Sequence, residues 1–141
     1  MKRQASAVWN GTVKEGSGYV TSESKALEKL PYSYHSRFEN GTGTNPEELM
    51  AAAHAGCFTM QLSANLTKAG FQPENLETTC TITMEEGVIT TSHLEVKARI
   101  TGIKNEKFQE VAQDAKQNCP VSKAYAALEI TMEAALKNDT D

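Results

Sequence analysis

Between Asn45 and Gly70 the chain reads NPEELMAAAHAGCFTMQLSANLTKAG, and this stretch carries the punctuation of one long helix. Asn45 can act as N-cap by accepting a backbone N–H from the first turn, and Pro46 suits the first helical position, where an N–H has no partner anyway. Glu48, three residues past the cap, fits a capping box, and Glu47 and Glu48 complement the positive end of the helix. Lys68 falls in the last turn, Gly70 is a natural stop and Pro73 follows. In between, Ala51, Ala52, Ala53, Ala55, Gly56, Phe58, Met60, Leu62, Ala64 and Leu66 cover most of the circumference. The spacing predicts a helix over 46–69 that is buried on nearly all sides, with Cys57 near its middle. Whatever else the chain forms must pack around it.

A length of 141 residues suits a single domain spanning 1–141. Eighteen acidic against fourteen basic residues give a net charge of −4, which argues against a nucleic-acid partner. Glu47, Glu48, His54, Gln61, Asn65 and Lys68 interrupt the long helix, so no membrane partner is expected. The opening MKRQASAVWNG shows no apolar h-region, and three cysteines without a C-x-x-C suit a reducing compartment. The expected location is the cytoplasm.

The remaining chain divides into strand-like and helix-like runs. Ala5, Ala7 and Trp9 alternate with polar neighbours ahead of Asn10-Gly11, a hairpin-type turn, and Tyr19-Val20-Thr21 follows a second turn at Gly16-Ser17-Gly18. Thr21 to Lys29 reads as loop. From Pro31 to Glu39 a period of two puts Tyr32, Tyr34, Ser36 and Phe38 on one face of a predicted strand, with Ser33, His35, Arg37 and Glu39 on the other. Leu76, Thr78, Cys80, Ile82 and Met84 mark the apolar side of another strand, and Leu94, Val96, Ala98 and Ile100 that of its neighbour. A second helix over 106–118 carries Phe108, Val111, Ala112 and Ala115 inward. Cys119 continues that stripe, eleven residues or almost three turns of ~3.6 residues beyond Phe108, before Pro120 breaks the helix. Leu128, Ile130, Met132 and Ala134 suit a closing strand. Two main helices and about six strands, expected to be antiparallel, form segregated runs, which is an α+β pattern.

Three cysteines raise the question of chemistry. Cys80, on the apolar side of a strand, reads as a small hydrophobe with an inert thiol. Cys57 and Cys119 point from two helices toward one interior, which suits either packing or redox chemistry. A reactive thiol needs its thiolate favoured, and burial does the opposite. The start of its own helix lies about 12 residues and ~18 Å from Cys57, too far to help. His54, one turn back, and Arg37 are the candidate cations; an arginine keeps its charge and can hold a carboxylate and a thiolate together.

Four segments of the sequence resemble one family. They are Arg37-Phe38-Glu39, Thr44-Asn-Pro-Glu-Glu-Leu49, Ala51-Ala-Ala-His-Ala-Gly-Cys-Phe58 and Asn118-Cys-Pro-Val-Ser122. Together they resemble the OsmC/Ohr family of thiol-dependent peroxidases over essentially the whole chain. The arginine just before the Gly-rich loop is similar to that of the OsmC branch. The resemblance implies an OsmC-like fold and an intertwined homodimer. It implies Cys57 as the peroxidatic cysteine and Cys119 as the resolving cysteine that closes a disulfide with it. Arg37 would stabilise the thiolate, and Glu47 would orient the arginine. Hydroperoxides are the implied substrates, organic ones with hydrogen peroxide a further candidate. The implied reductant is an external dithiol of the lipoyl type, free or on a lipoylated protein, and no metal or other cofactor is expected.

Spacing then adds a geometric expectation. Glu47 and Cys57 stand ten residues apart on one predicted helix, ~15 Å along its axis. If both touch one guanidinium, a single straight helix cannot bring them there. Glu47 and Arg37 are therefore expected to serve Cys57 of the partner subunit across a two-fold interface. Two other readings compete. His54 and Cys57 could ligate a metal with His35 or His93, although the spacing is sparse for zinc. A non-enzymatic carrier could hold a small hydrophobic molecule in a dimer cleft, and it would bind such a ligand without consuming peroxide.

Overall fold

A computed structural model describes residues 1–138. Its elements run β1 (Ala5–Asn10), β2 (Ser17–Ser22), β3 (Leu30–Tyr32), α1 (Tyr34–Phe38), α2 (Pro46–Lys68), β4 (Pro73–Glu85), β5 (Val88–Ile100), α3 (Asn105–Asn118), α4 (Pro120–Ala124) and β6 (Glu129–Leu136). They fall into two compact units, Met1–Leu49 and Met50 onward.

In the first unit β1, β2 and β3 form an antiparallel sheet in that order, with Ala5 opposite Ser22 and Gly18 opposite Tyr32. Gly18 is required by close approach: a Cβ there would lie 2.2 Å from the Val8 carbonyl oxygen and 2.7 Å from the Trp9 ring. Its absence lets Trp9 and Tyr32 meet edge to face with centroids 5.2 Å apart. The strand expected over 31–39 is not formed. It ends at Tyr32, and Ser33 caps helix α1 instead. The Ser33 hydroxyl accepts the Ser36 N–H at 3.2 Å, and the Ser36 hydroxyl accepts the Ser33 N–H at 2.8 Å. This reciprocal cap outweighs the period-two pattern. Arg37 thus lies in the last turn of a short helix, not on a strand face.

Helix α2 matches its signals closely. The Asn45 side chain accepts the Glu48 N–H at 2.7 Å. At the far end Gly70 adopts φ +94°, and Phe71 N–H reaches back to the Leu66 carbonyl at 2.9 Å, the bond that closes a Schellman turn. The expected all-round burial is not seen within the chain. One stripe, His54, Phe58, Leu62 and Leu66, is fully buried, while Ala52, Ala53, Gly56, Met60 and Ala64 are exposed, Met60 to 77%. Small side chains made the second face look like core in the sequence, but it is exposed among the described residues.

In the second unit the long β4–β5 hairpin turns at Glu86-Gly87, both at positive φ. Leu94, Val96, Ala98 and Ile100 line the buried side of β5, as their alternation predicts. Against them pack Phe58, Leu62 and Leu66 of α2 and Phe108, Val111, Ala112, Ala115 and Cys119 of the α3 stripe. Each large side chain in this core contributes roughly 1.5–3 kcal/mol by leaving water. The sheet order is β4-β5-β6, and β6 runs parallel to β5, not antiparallel as expected. Helices α3 and α4 form the crossover that a parallel pair requires. Among the described residues no helix is long and apolar enough to cross a membrane.

Candidate active site

Pro120 ends α3 and also opens α4 as its first residue, with Cys119 as the N-cap. That double role places two cysteines at one helix start. Ser122 N–H points at the Cys119 sulfur at 3.4 Å, and Val121 N–H points at the Cys57 sulfur at 3.5 Å. Cys57, one turn beyond His54 on α2, is half-buried and neighbours the fully buried Cys119. All three cysteines are free thiols. Burial pushes the Cys57 thiol up from its ordinary value, the Val121 N–H opposes this, and Cys119 adds to the rise. At the start of α4 the Val121 N–H does what a helix N-terminus would do for the thiolate. The signal that marks this helix start is Asn118-Cys-Pro-Val-Ser122, where proline follows a capping-competent side chain.

A second set of contacts was not anticipated. His54 is fully buried, and its two ring nitrogens face two serine hydroxyls, Nδ1 to Ser92 at 2.6 Å and Nε2 to Ser122 at 2.8 Å. Ser122 Oγ in turn lies 3.0 Å from the Cys119 sulfur, and Ser92 Oγ lies 3.2 Å from that of Cys80. The Tyr125 ring meets the imidazole edge-on with centroids 5.2 Å apart, and its hydroxyl donates to the Met50 carbonyl at 2.9 Å. His54 is therefore a satisfied core histidine and has no ring nitrogen left for a metal or for Cys57. The serines lie 38 and 68 residues away in sequence, so no local pattern announces them.

Burial lowers the His54 pKa below its usual 6.5. The unfolded chain then binds a proton that the folded chain refuses, so stability should fall as pH drops through and below 6.5. The expected slope is at most about 1.4 kcal/mol per pH unit from this group. Chemical denaturation across pH 5 to 7 should show a steeper acid loss for the natural chain than for His54→Gln; equal slopes would contradict it.

Arg37 and Glu47 pair within the first unit. Arg37 Nε donates to Glu47 Oε1 at 2.9 Å, and the guanidinium lies over the Phe38 ring at 5.0 Å. The Glu47 side chain is only 12% exposed, and its Oε2 is buried without a hydrogen-bond partner among the described residues. A cavity of about 190 Å³, lined by Trp9, Val13, Tyr32, Tyr34 and Phe38, opens beside Arg37. The four expected residues thus form two pairs, Cys57 with Cys119 and Arg37 with Glu47. Glu48 is the capped N–H donor of α2.

The model of the OsmC-like protein family matches residues 39–134. This chain belongs to the OsmC family. Peroxiredoxin OsmC of Escherichia coli strain K12 is 41% identical over 140 residues, which cover 96% of this chain and 97% of that protein. The organic hydroperoxide resistance protein OhrB of Bacillus subtilis has a solved structure that superposes with a TM-score of 0.64 at 25% identity, covering 95% of this chain and 98% of that one. An organic hydroperoxide resistance protein OsmC from Legionella pneumophila shares the fold with a TM-score of 0.69 at 22% identity, covering 94% and 96%. The OsmC-like match includes Glu47, Cys57, His54, Cys119 and Ser122, while Arg37 lies two residues before it.

Proposed function

We infer that this chain is a cysteine-based peroxidase of the peroxiredoxin type, with Cys57 as peroxidatic cysteine and Cys119 as resolving cysteine. The observation that carries the reading is the convergence of the two sulfurs on successive backbone N–H groups at the start of α4, Val121 N–H aimed at Cys57 and Ser122 N–H at Cys119. The Cys57 thiolate attacks the outer oxygen of a hydroperoxide, forming an S–O bond as the O–O bond breaks, and the alkoxide leaves as alcohol after taking a proton. Cys119 then displaces water from the resulting sulfenic acid and closes the disulfide. An external dithiol of the lipoyl type, free or on a lipoylated protein, reopens it by two exchange steps. No metal or cofactor takes part. The apolar cavity beside Arg37 suits the organic tail of an alkyl or aryl hydroperoxide; hydrogen peroxide needs no such wall and is the lesser substrate.

The chain works as a single OsmC-like domain in a cytoplasmic homodimer, and Arg37, oriented by Glu47, serves Cys57 of the partner subunit. Three observations support this. Glu47 and Cys57 stand ten residues apart on the one helix α2, or ~15 Å of axial rise. The exposed Ala52, Ala53, Gly56, Met60 and Ala64 form an apolar face on the same helix that a second copy of α2 would cover. Within the second unit, the influence that favours the Cys57 thiolate is a single backbone N–H, so a cation has a task to perform.

Mixed dimers test the arrangement. A Cys57→Ser subunit paired with a Glu47→Gln subunit should recover about half the natural turnover, because one of two sites is then complete. Consumption of cumene hydroperoxide with dihydrolipoamide is the readout. A mixed dimer no faster than the two single-variant homodimers would contradict the shared site. A natural chain that binds the hydroperoxide without consuming it would overturn the enzymatic reading in favour of a carrier.

A further inference from the structure

The two-cysteine cycle leaves unused the most completely bonded polar group in the core. Cys119, Ser122, His54, Ser92 and Cys80 form one unbroken line of contacts at 3.0, 2.8, 2.6 and 3.2 Å. Cys119, His54 and Ser92 have no solvent exposure, and Ser122 has 5%. A thiol in that position has no solvent exposure, yet it must lose its proton to form a disulfide. The hydroxyl of Ser122 touches the sulfur on one side and the imidazole on the other.

We propose that Ser122 and His54 form a buried proton relay for the resolving step, with Ser122 taking the proton of Cys119 as its own passes to Nε2 of His54. The proposal rests on the peroxidase reading above. In the step, the Cys119 sulfur uses its electron pair to form the S–S bond, the S–O bond of the Cys57 sulfenic acid breaks, and hydroxide leaves with that pair. The proton held on His54 returns through Ser122 and neutralises the hydroxide as water. Sulfenic acid and thiol give disulfide and water, with no net gain or loss of protons or electrons.

Three features of the site fit a relay better than packing alone. The ring must offer Nε2 as an acceptor, so its proton must reside on Nδ1, and Ser92 at 2.6 Å is placed to accept that N–H. Ser92 can pass its own hydroxyl hydrogen to the Cys80 sulfur, so every hydrogen along the line points the same way, from Cys119 toward Cys80. Among the described residues the groups in contact with the imidazole are Ser92 of β5, Ser122 of α4 and Tyr125 at the end of α4, with Cys80 of β4 and Cys119 at the α3–α4 junction behind the serines. None is a carboxylate, lysine or arginine, and burial lowers the His54 pKa and raises that of the Tyr125 phenol, favouring the neutral form of each. A neutral imidazole is the form that accepts a proton. Ser122 touches the reacting sulfur and is the catalytic member; His54 is a positioning residue acting through it.

Single-turnover kinetics separate the steps. The reduced natural protein, His54→Gln and Ser122→Ala are each mixed with one equivalent of cumene hydroperoxide, and samples are quenched with a 1,3-dione that traps sulfenic acid. Peptide masses then give the rate of Cys57 oxidation and the rate of Cys57–Cys119 closure. The ratio of closure to oxidation should fall about 10- to 100-fold in both variants, within the usual range for losing an acid–base group. Closure in the natural protein should also slow as pH falls through the histidine range, and that acid limb should vanish in His54→Gln. Ser122→Ala removes one oxygen from a small side chain, so it guards against a variant that merely misfolds. A natural ratio and a natural pH profile in Ser122→Ala would overturn the relay. Peroxide consumption by the natural protein without any Cys57–Cys119 disulfide would overturn the two-cysteine reading itself, and would show in the unsubstituted chain.

Discussion

Cys57→Ser should reduce hydroperoxide consumption to background, a loss of about 10³-fold or more, while leaving the fold intact. The substitution exchanges sulfur for oxygen at a half-buried position that contributes little to the core, so stability should hardly change. A serine hydroxyl lacks the nucleophilicity of a thiolate and has no base beside it, because both nitrogens of the nearby His54 are engaged by Ser92 and Ser122. Cys119→Ser should behave differently. Its Cys57 still completes one turnover and then waits as a sulfenic acid, so a stopped-flow trace should show a burst of one equivalent followed by a much slower phase. Full turnover by Cys57→Ser would remove the thiol from the mechanism, and a burst missing from Cys119→Ser would place the first oxidation on Cys119.

Arg37→Met carries the second large effect. Burial and the neighbouring Cys119 both favour the protonated form of Cys57, and the Val121 N–H alone opposes them in the second unit. An arginine brought within 4–6 Å favours the thiolate by about 1–3 pH units, so its loss should cut the thiolate fraction at pH 7 by roughly 10- to 1000-fold. The sign is fixed: a raised Cys57 pKa makes alkylation slow at neutral pH and faster as pH rises through the shifted value. Iodoacetamide inactivation from pH 5 to 10 should therefore give a curve displaced to higher pH in Arg37→Met. Arg37→Lys should fall between, keeping the charge but losing the planar N–H that meets Glu47 at 2.9 Å. An unchanged curve in Arg37→Met would exclude the arginine from thiolate activation.

The parts that were legible in the sequence were those carried by local rules. Asn45, Pro46 and Gly70 marked helix α2 because caps and stops are short-range, and the alternation of Leu94 to Ile100 marked the buried side of β5. The inward stripe of α3 predicted Cys119 as core, and it is fully buried. Legibility failed where two local signals competed or where a partner lay far off in sequence. At Ser33 to Phe38 a period of two pointed to a strand, but the Ser33–Ser36 cap won. The parallel placement of β6 depends on a crossover that no residue in β6 encodes. The apolar second face of α2 was read as buried because composition tells how much of a helix is apolar and not what covers it. His54 stands in the sequence as a candidate cation or metal ligand, because its partners Ser92 and Ser122 come together only when β5 and α4 fold against α2.

The mechanism depends on which two sulfurs meet. Treating the reduced protein with one equivalent of cumene hydroperoxide, alkylating the remaining thiols under denaturing conditions and mapping the peptides by mass spectrometry tests this directly. The predicted result is a Cys57–Cys119 disulfide, with Cys80 recovered as its alkylated derivative. A bond that includes Cys80, or full consumption of peroxide with no disulfide at all, would contradict it.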